Sequence, residues 1–383
     1  MAYASEEIMI VAGEASGDLH GSNLIKELKA IRPAVSLFGI GGDRIKALNV
    51  EIIYHINELS FMGFSEVIKN ISFIRSVEKT VITLIEKRKP RAIVLIDFPG
   101  MNLRIARFAK QRGVIVIYYI TPQVWAWGKH RIKKMRKYVD HALVILPFEQ
   151  EFFRNEGIDA EFIGHPLLDL LQVNADRESF CRSTGLDPER KIVALFPGSR
   201  KREIINHLGA MTKAAIRLRD EMNIQPVIGV SANLSAEFVR SLIPAGSGDI
   251  PLLEGATYDL MQHAEMAYVK SGTSTLEAAC FKTPMIVLYK TSAFNYFVGR
   301  LIVNLNHFSL VNILAGEEVV KELSQREVNA GTLYEYGKAL LEDDQKREEM
   351  RNRLAIIKKM LGKPGASRRA AERVLSVAGF TGS

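Results

Sequence analysis

Cysteine is nearly absent from this chain of 383 residues, and its two copies, Cys181 and Cys280, lie far apart without CxxC spacing. That excludes a disulfide framework and a thiolate zinc site, and a reducing cytosol is the expected setting. The eight histidines are scattered with no HxH or HExxH pair, so no metal is predicted. No stretch approaches the roughly 20 apolar residues that cross a bilayer. The N-terminus, with Glu6 and Glu7 ahead of a short apolar run, lacks the basic region and long apolar core of a secretory leader. A soluble or membrane-surface protein is expected. Short-period repeats are lacking too.

What remains is the composition of a folded protein, 47% hydrophobic and 25% charged, too apolar for intrinsic disorder. The length predicts two domains of roughly 150–200 residues each. A net charge of +8 favours anionic partners: nucleic acid, phospholipid or phosphorylated metabolites.

Short β-rich runs alternate with helix-period segments: IMIVAG (8–13), VSLFGIGG (35–42), RAIVLIDF (91–98), VIVIYYI (114–120), HALVILP (141–147) and EFIGHP (161–166). The theme returns in KIVALFPGSR (191–200), PVIGVS (226–231), MAYVKSG (266–272) and PMIVLYK (284–290). This alternation predicts an α/β fold of two Rossmann-like, doubly wound parallel-sheet domains joined near Gly164-His165-Pro166. In such sheets ligands bind beyond the carboxyl ends of the strands, which is where GEASGD, IDFPGMN, PQVWAWG, FPGSR and SGTSTLE fall.

Each motif carries two readings. In FPGSRKREI (196–204) the backbone of Gly198, Ser199 and Arg200 opens a helix. It is either a phosphate seat or a plain strand-to-helix turn capped by Ser199. SGTSTLEAA (271–279) repeats the design with Ser271, Gly272, Thr273 and Ser274, and Glu277 is either a ribose acceptor or part of a capping box. In GEASGD (13–18), Glu14 and Asp18 could accept from sugar hydroxyls, or Asp18 could cap a helix. Asp97 ends an oily strand and is either a turn former before Pro99-Gly100 or a base for an attacking hydroxyl.

The run 128–138 holds six Lys/Arg, Lys133 and Lys134 among them, directly after Trp125 and Trp127. It reads as a solvated helix face or as a contact with anionic lipid headgroups, and no nucleic-acid motif accompanies it. The stretches 59–77 and 294–305 are rich in large apolar residues, fit for core packing or for an acyl-chain groove.

With GEASGD, MGFSEV, DFPGMN, PQVWAWG, IGHPLLD, PGSR, SGTSTLE and SLVNILAG in this order, the chain resembles the lipid-A-disaccharide synthases from about residue 8 to the GASRRAAERV tail. The resemblance implies an inverting glycosyltransferase of the GT-B type, whose two domains face a cleft. An N-terminal acceptor-side domain would span 1–165 and a UDP-sugar domain 166–349. A helical tail, 350–383, would pack back on the first domain or on a partner subunit of a possible homodimer. The implied reaction joins 2,3-diacylglucosamine from its UDP donor to the 6-hydroxyl of 2,3-diacylglucosamine 1-phosphate. It needs no cofactor, metal or nucleic acid, and proceeds at the cytoplasmic face of the inner membrane.

The resemblance also implies roles. Asp97 in D-x-P-x-x-N becomes a candidate general base, Arg200 a phosphate ligand, Glu277 the acid of SGT-x-x-LE, and Asn312 the asparagine of a stretch whose usual proline is Val311 here. Glu14, Asp97, Arg200 and Asn312 form the expected catalytic set, and residues 198–200, 271–274 and 277 the UDP set. Ser16, Asp18, Met62, Phe64, Gln123, Trp125, Trp127, Lys133 and Lys134 are expected on the acceptor or membrane side. The competing expectations are another GT-B enzyme, such as a UDP-sugar 2-epimerase or a transferase to a polyprenyl-linked acceptor, and a basic lipid-binding protein without catalysis.

Overall fold

The computed structural model describes residues 6–59, 71–126, 128–173, 175–244, 246–247, 249–292 and 306–380. Met62, Phe64 and Trp127 lie outside the described residues, as do 60–70 and 294–305 of the two apolar stretches. The chain divides into two compact units, Met1–Asp169 with Leu361–Ser383, and Leu170–Met360.

The first unit is built on seven strands: β1 Glu7–Ala12, β2 Ser36–Gly41, β3 Glu51–His55, β4 Ala92–Ile96, β5 Ile115–Tyr119, β6 His141–Val144 and β7 Ala160–Phe162. They pair in parallel in the order β3-β2-β1-β4-β5-β6-β7. β4 is continuously apolar, AIVLI, and wholly buried, as a parallel strand covered on both faces requires. Burying each of its Ile, Val and Leu side chains contributes about 1.5–3 kcal/mol. One face is covered by a core that includes Val77, Val81, Ile105 and Met135, the other by Leu24, Ile25 and Leu28 with Ala370, Val374 and Leu375.

Those last three residues belong to the C-terminal helix Ala366–Val377, which packs along the helix Ala15–Ile31. Its start is fixed by Asp169 of the IGHPLLD stretch, whose carboxylate accepts from the N–H groups of Gly365, Ala366 and Ser367. A carboxylate there satisfies free donors and complements the helix dipole. The segment from residue 350 is thus shared: 350–360 completes the helix Asp344–Met360 of the second unit, and the chain rejoins the first at Leu361.

The second unit holds β8 Lys191–Phe196, β9 Ile224–Val230, β10 Leu252–Glu254, β11 Met266–Lys270, β12 Met285–Tyr289 and β13 Lys321–Ser324. All pair in parallel, in the order β10-β9-β8-β11-β12-β13. In each sheet the winding reverses once, between β1 and β4 in the first and between β8 and β11 in the second. Loops leaving two such strands diverge to opposite faces and open a crevice at the sheet edge.

Candidate active site

At the first reversal point the partners Ala12 and Ile96 end their strands side by side, so Gly13-Glu14 and Asp97-Phe98 leave together. Asp97 and Phe98 both adopt left-handed backbone, with φ of +45° and +44°. This costs a non-glycine residue roughly 1–2 kcal/mol, and such strain gathers at functional sites. Pro99 then opens the helix Pro99–Gln111, its fixed φ suited to a first turn. Gly13 is required because a Cβ there would lie 2.5 Å from the Phe98 ring.

The strained turn is pinned through its carbonyls. Buried Asn102 donates to the carbonyls of Ile96 at 3.2 Å and Asp97 at 2.8 Å, and the Tyr118 hydroxyl donates to the latter at 2.7 Å. Asn102, like Tyr118, is a residue that reading the motif left without a role. Its signal was the spacing of DFPGMN. The Asp97 carboxyl is pushed up to about 6, first by burial and then by the neighbouring charge of Glu14. Glu14 and Ser16 are exposed at the start of the helix Ala15–Ile31.

Asp18 belongs elsewhere. Its buried carboxylate accepts from the N–H groups of Gly42 at 2.7 Å, Arg44 at 3.1 Å and Ile45 at 3.2 Å, capping the short helix Asp43–Lys46. The expectation that it faces the acceptor is corrected: its oxygens are already engaged by backbone. Gln123 is exposed. Trp125 is half-buried, donating its indole N–H to Glu149 at 2.9 Å and meeting Phe148 edge-on. Burial raises the Glu149 carboxyl to about 7. Lys133 and Lys134 are exposed on the helix Ile132–Tyr138, which buries Ile132 and Met135 beneath them.

At the second reversal point a pocket of about 430 Å³ brings together Gly198 and Ser199 after β8, Gly229–Ala232 at the end of β9 and just beyond it, Tyr258, and Thr273, Ser274 and Glu277 after β11. Burial pushes the Glu277 carboxyl up, opposed by a hydrogen bond from the Ser274 side chain. The helix Thr273–Cys280 starts from Gly272 with no side-chain cap, so Glu277 is not spent on a capping box. Ser271 donates its hydroxyl to the Phe308 carbonyl, which makes it a strut of the loop.

The PGSR turn corrects an expectation. The N–H groups of Ser199 and Arg200, read from sequence as a phosphate seat, are taken by the Glu203 carboxylate at 3.0 and 3.3 Å. The helix Lys201–Glu221 is therefore closed by its own acid, while the Arg200 side chain is 75% exposed and lies 3.6 Å from the same Glu203 carboxylate. Gly198, with φ of +122°, lies so close that a Cβ would meet Glu203 at 2.6 Å.

Asn312 is also corrected. It is fully buried, its amide donates to Val320 O and Glu322, and its oxygen accepts from the N–H groups of Val319 and Val320. All four hydrogen-bonding positions of the amide are filled, so it clamps the helix Leu310–Ala315 to β13 and has nothing left for a substrate. Val311, where a proline is usual, sits buried in the first turn of that helix.

A family model for lipid-A-disaccharide synthetases matches residues 8–375. The chain belongs to this family. The lipid-A-disaccharide synthase of Geobacter sulfurreducens is 38% identical over 376 residues, 98% of each chain. That of Syntrophus aciditrophicus is 39% identical over 375 residues, covering 97% of this chain and 98% of the relative. Among solved structures, the UDP-GlcNAc 2-epimerase of Neisseria meningitidis, bound to UDP-GlcNAc, superposes with a TM-score of 0.65 at 14% identity, covering 97% of this chain and all of the other. That likeness shows the fold, which is of the GT-B type. The protein is a UDP-sugar-dependent glycosyltransferase with lipid-A-disaccharide synthase activity.

Proposed function

We propose that this transferase moves 2,3-diacylglucosamine from UDP to the 6-hydroxyl of 2,3-diacylglucosamine 1-phosphate, with inversion, using Asp97 as base and the pocket of the second unit for UDP. The acceptor hydroxyl gives its proton to Asp97 as its oxygen attacks C1 of the donor sugar. The bond from C1 to the diphosphate breaks and UDP leaves with both electrons. A carboxyl near 6 is ionised at neutral pH yet more basic than an exposed Asp, which is what a general base requires. Glu14, which after burial is the second cause of that raised value, meets the acceptor sugar.

Glu277 receives the ribose hydroxyls. Thr273, Ser274 and Arg200 receive the diphosphate, whose developing charge fixed dipoles and cations stabilise. The exposed Lys133 and Lys134, next to the Trp125 loop, hold the enzyme against the anionic cytoplasmic face of the inner membrane. Among the described residues no helix is long and apolar enough to cross a membrane.

One observation carries this reading: the reversal point of one sheet bears a strained, raised-pKa acid and that of the other a pocket lined by small residues, a helix start and Glu277. UDP release from the acylated donor, measured with and without acceptor, tests it. Release that needs the acceptor is expected. Turnover of the UDP-sugar alone favours an epimerase instead, and no turnover with either favours a lipid-binding protein.

A further inference from the structure

Lys270 is the last residue of β11, and the register pairing Val269 with Phe196 sets it beside Pro197, where the PGSR turn begins. Its side chain is only 18% exposed, and its ammonium lies 2.8 Å from Glu203 Oε1. The same nitrogen is 3.7 Å from where a Cβ on Gly272 would stand, so it also touches the SGTS loop. Among the described residues Glu203 is the only acid paired with it, yet an ammonium has three protons to give. The carboxylate already serves the N–H groups of Ser199 and Arg200 with its other oxygen. Lys270, paired with the acid that ties the PGSR turn and lying beside Gly272, therefore stands between the two loops whose residues Ser199 and Thr273 line the pocket.

We infer that Lys270 is a diphosphate ligand of the nucleotide pocket, held in position by Glu203. This rests on the reading of that pocket as the UDP site and adds to it. Since Glu203 fills the N–H groups of the PGSR turn, the charge that the turn does not offer comes from Lys270 and from the exposed Arg200, both paired with Glu203. Glu203 is a positioning residue: it fixes the turn and the ammonium together and meets no substrate.

The test uses UDP and uridine as competitive inhibitors of the full-length enzyme. Lys270→Gln removes the charge but keeps a donor for Glu203, which guards the fold. It is expected to weaken UDP about tenfold to a hundredfold, the worth of a charge-assisted hydrogen bond, and to leave uridine inhibition unchanged. Lys270→Arg is expected to restore most of the UDP affinity. Unchanged UDP inhibition overturns the inference, and so does equal weakening of UDP and uridine, which would make Lys270 a strut of the pocket. Glu277→Gln separates the two levels. If it alters neither inhibitor, the UDP reading of the pocket fails. If it weakens both while Lys270→Gln weakens neither, only the role of Lys270 fails.

Discussion

At the reversal point of the first sheet the chain presents carboxylates, Glu14 and Asp97, on a backbone bent into left-handed geometry. At the reversal point of the second it presents hydroxyls, a helix start and cations, on a turn closed from within by Glu203. The topology is the same in both units and the chemistry is opposite. In the first, burial and the charge of Glu14 raise a proton affinity. In the second, an internal salt bridge places a positive charge. Sheet topology thus locates a crevice, while the residues following two strands decide which chemical groups it offers.

The largest effect that would break this division is Asp97→Asn. It keeps size and shape but removes the base, and kcat is expected to fall by about 10²–10⁴ with UDP inhibition unchanged. Near-normal turnover would remove Asp97 from the mechanism. Loss of UDP affinity in the same variant would mean that the two sites do not divide the work as described.

Next comes Asn312→Ala in the second unit. It strips partners from the N–H groups of Val319 and Val320 and from Glu322, and buried groups left unpaired cost roughly 1–3 kcal/mol each. A lower melting temperature is expected, with kcat within a few-fold of the parent at temperatures where the variant is folded. A large drop in kcat at an unchanged melting temperature would return Asn312 to the catalytic set.

Much of this was legible in the chain. Ten of the strands announce themselves as oily runs: nine are central parallel strands buried on both faces, and one, β7, is a short edge strand. The three without such a run, β3, β10 and β13, are edge strands of three to five residues with largely half-buried side chains. The motifs at strand ends were legible for the same reason as the strands. What escaped was the choice of hydrogen-bond partner. Asp18 caps a helix 25 residues away in sequence, and Asn312 grips a strand that follows it. These bonds depend on which elements meet, which no local pattern records. Glu203 did leave a local signal, an acid three residues after Arg200 at a helix start, but the turn was read as a phosphate seat or as capped by Ser199.

A smaller effect comes from pH. As the proposed base Asp97 must be ionised, so kcat/KM should fall tenfold per unit below about pH 6. Glu14→Gln removes the second cause of the raised value and should move that limb to lower pH in the activity that remains. The stability sign is opposite. A carboxyl whose folded pKa lies above its unfolded one favours the fold at low pH, and that contribution is lost as pH rises from about 4 through 6. Asp97→Asn should therefore raise the melting temperature at pH 8 but not at pH 4. An unmoved melting temperature at both would mean that the site stores no such cost.

The smallest expected effect is that of Val311→Pro. Ser309 caps the helix Leu310–Ala315 by accepting from the Asn312 N–H, which makes Val311 the second residue of the first turn. An N–H at that position has no partner within the helix, so losing it costs little. Proline does disfavour helical backbone at the residue before it, here Leu310, but a delayed helix start leaves the four bonds of the Asn312 amide in place. Melting temperature and kcat should both stay near the parent values. A marked loss of stability would show that the buried Val311 side chain, and not the Asn312 clamp, secures this loop against the second sheet.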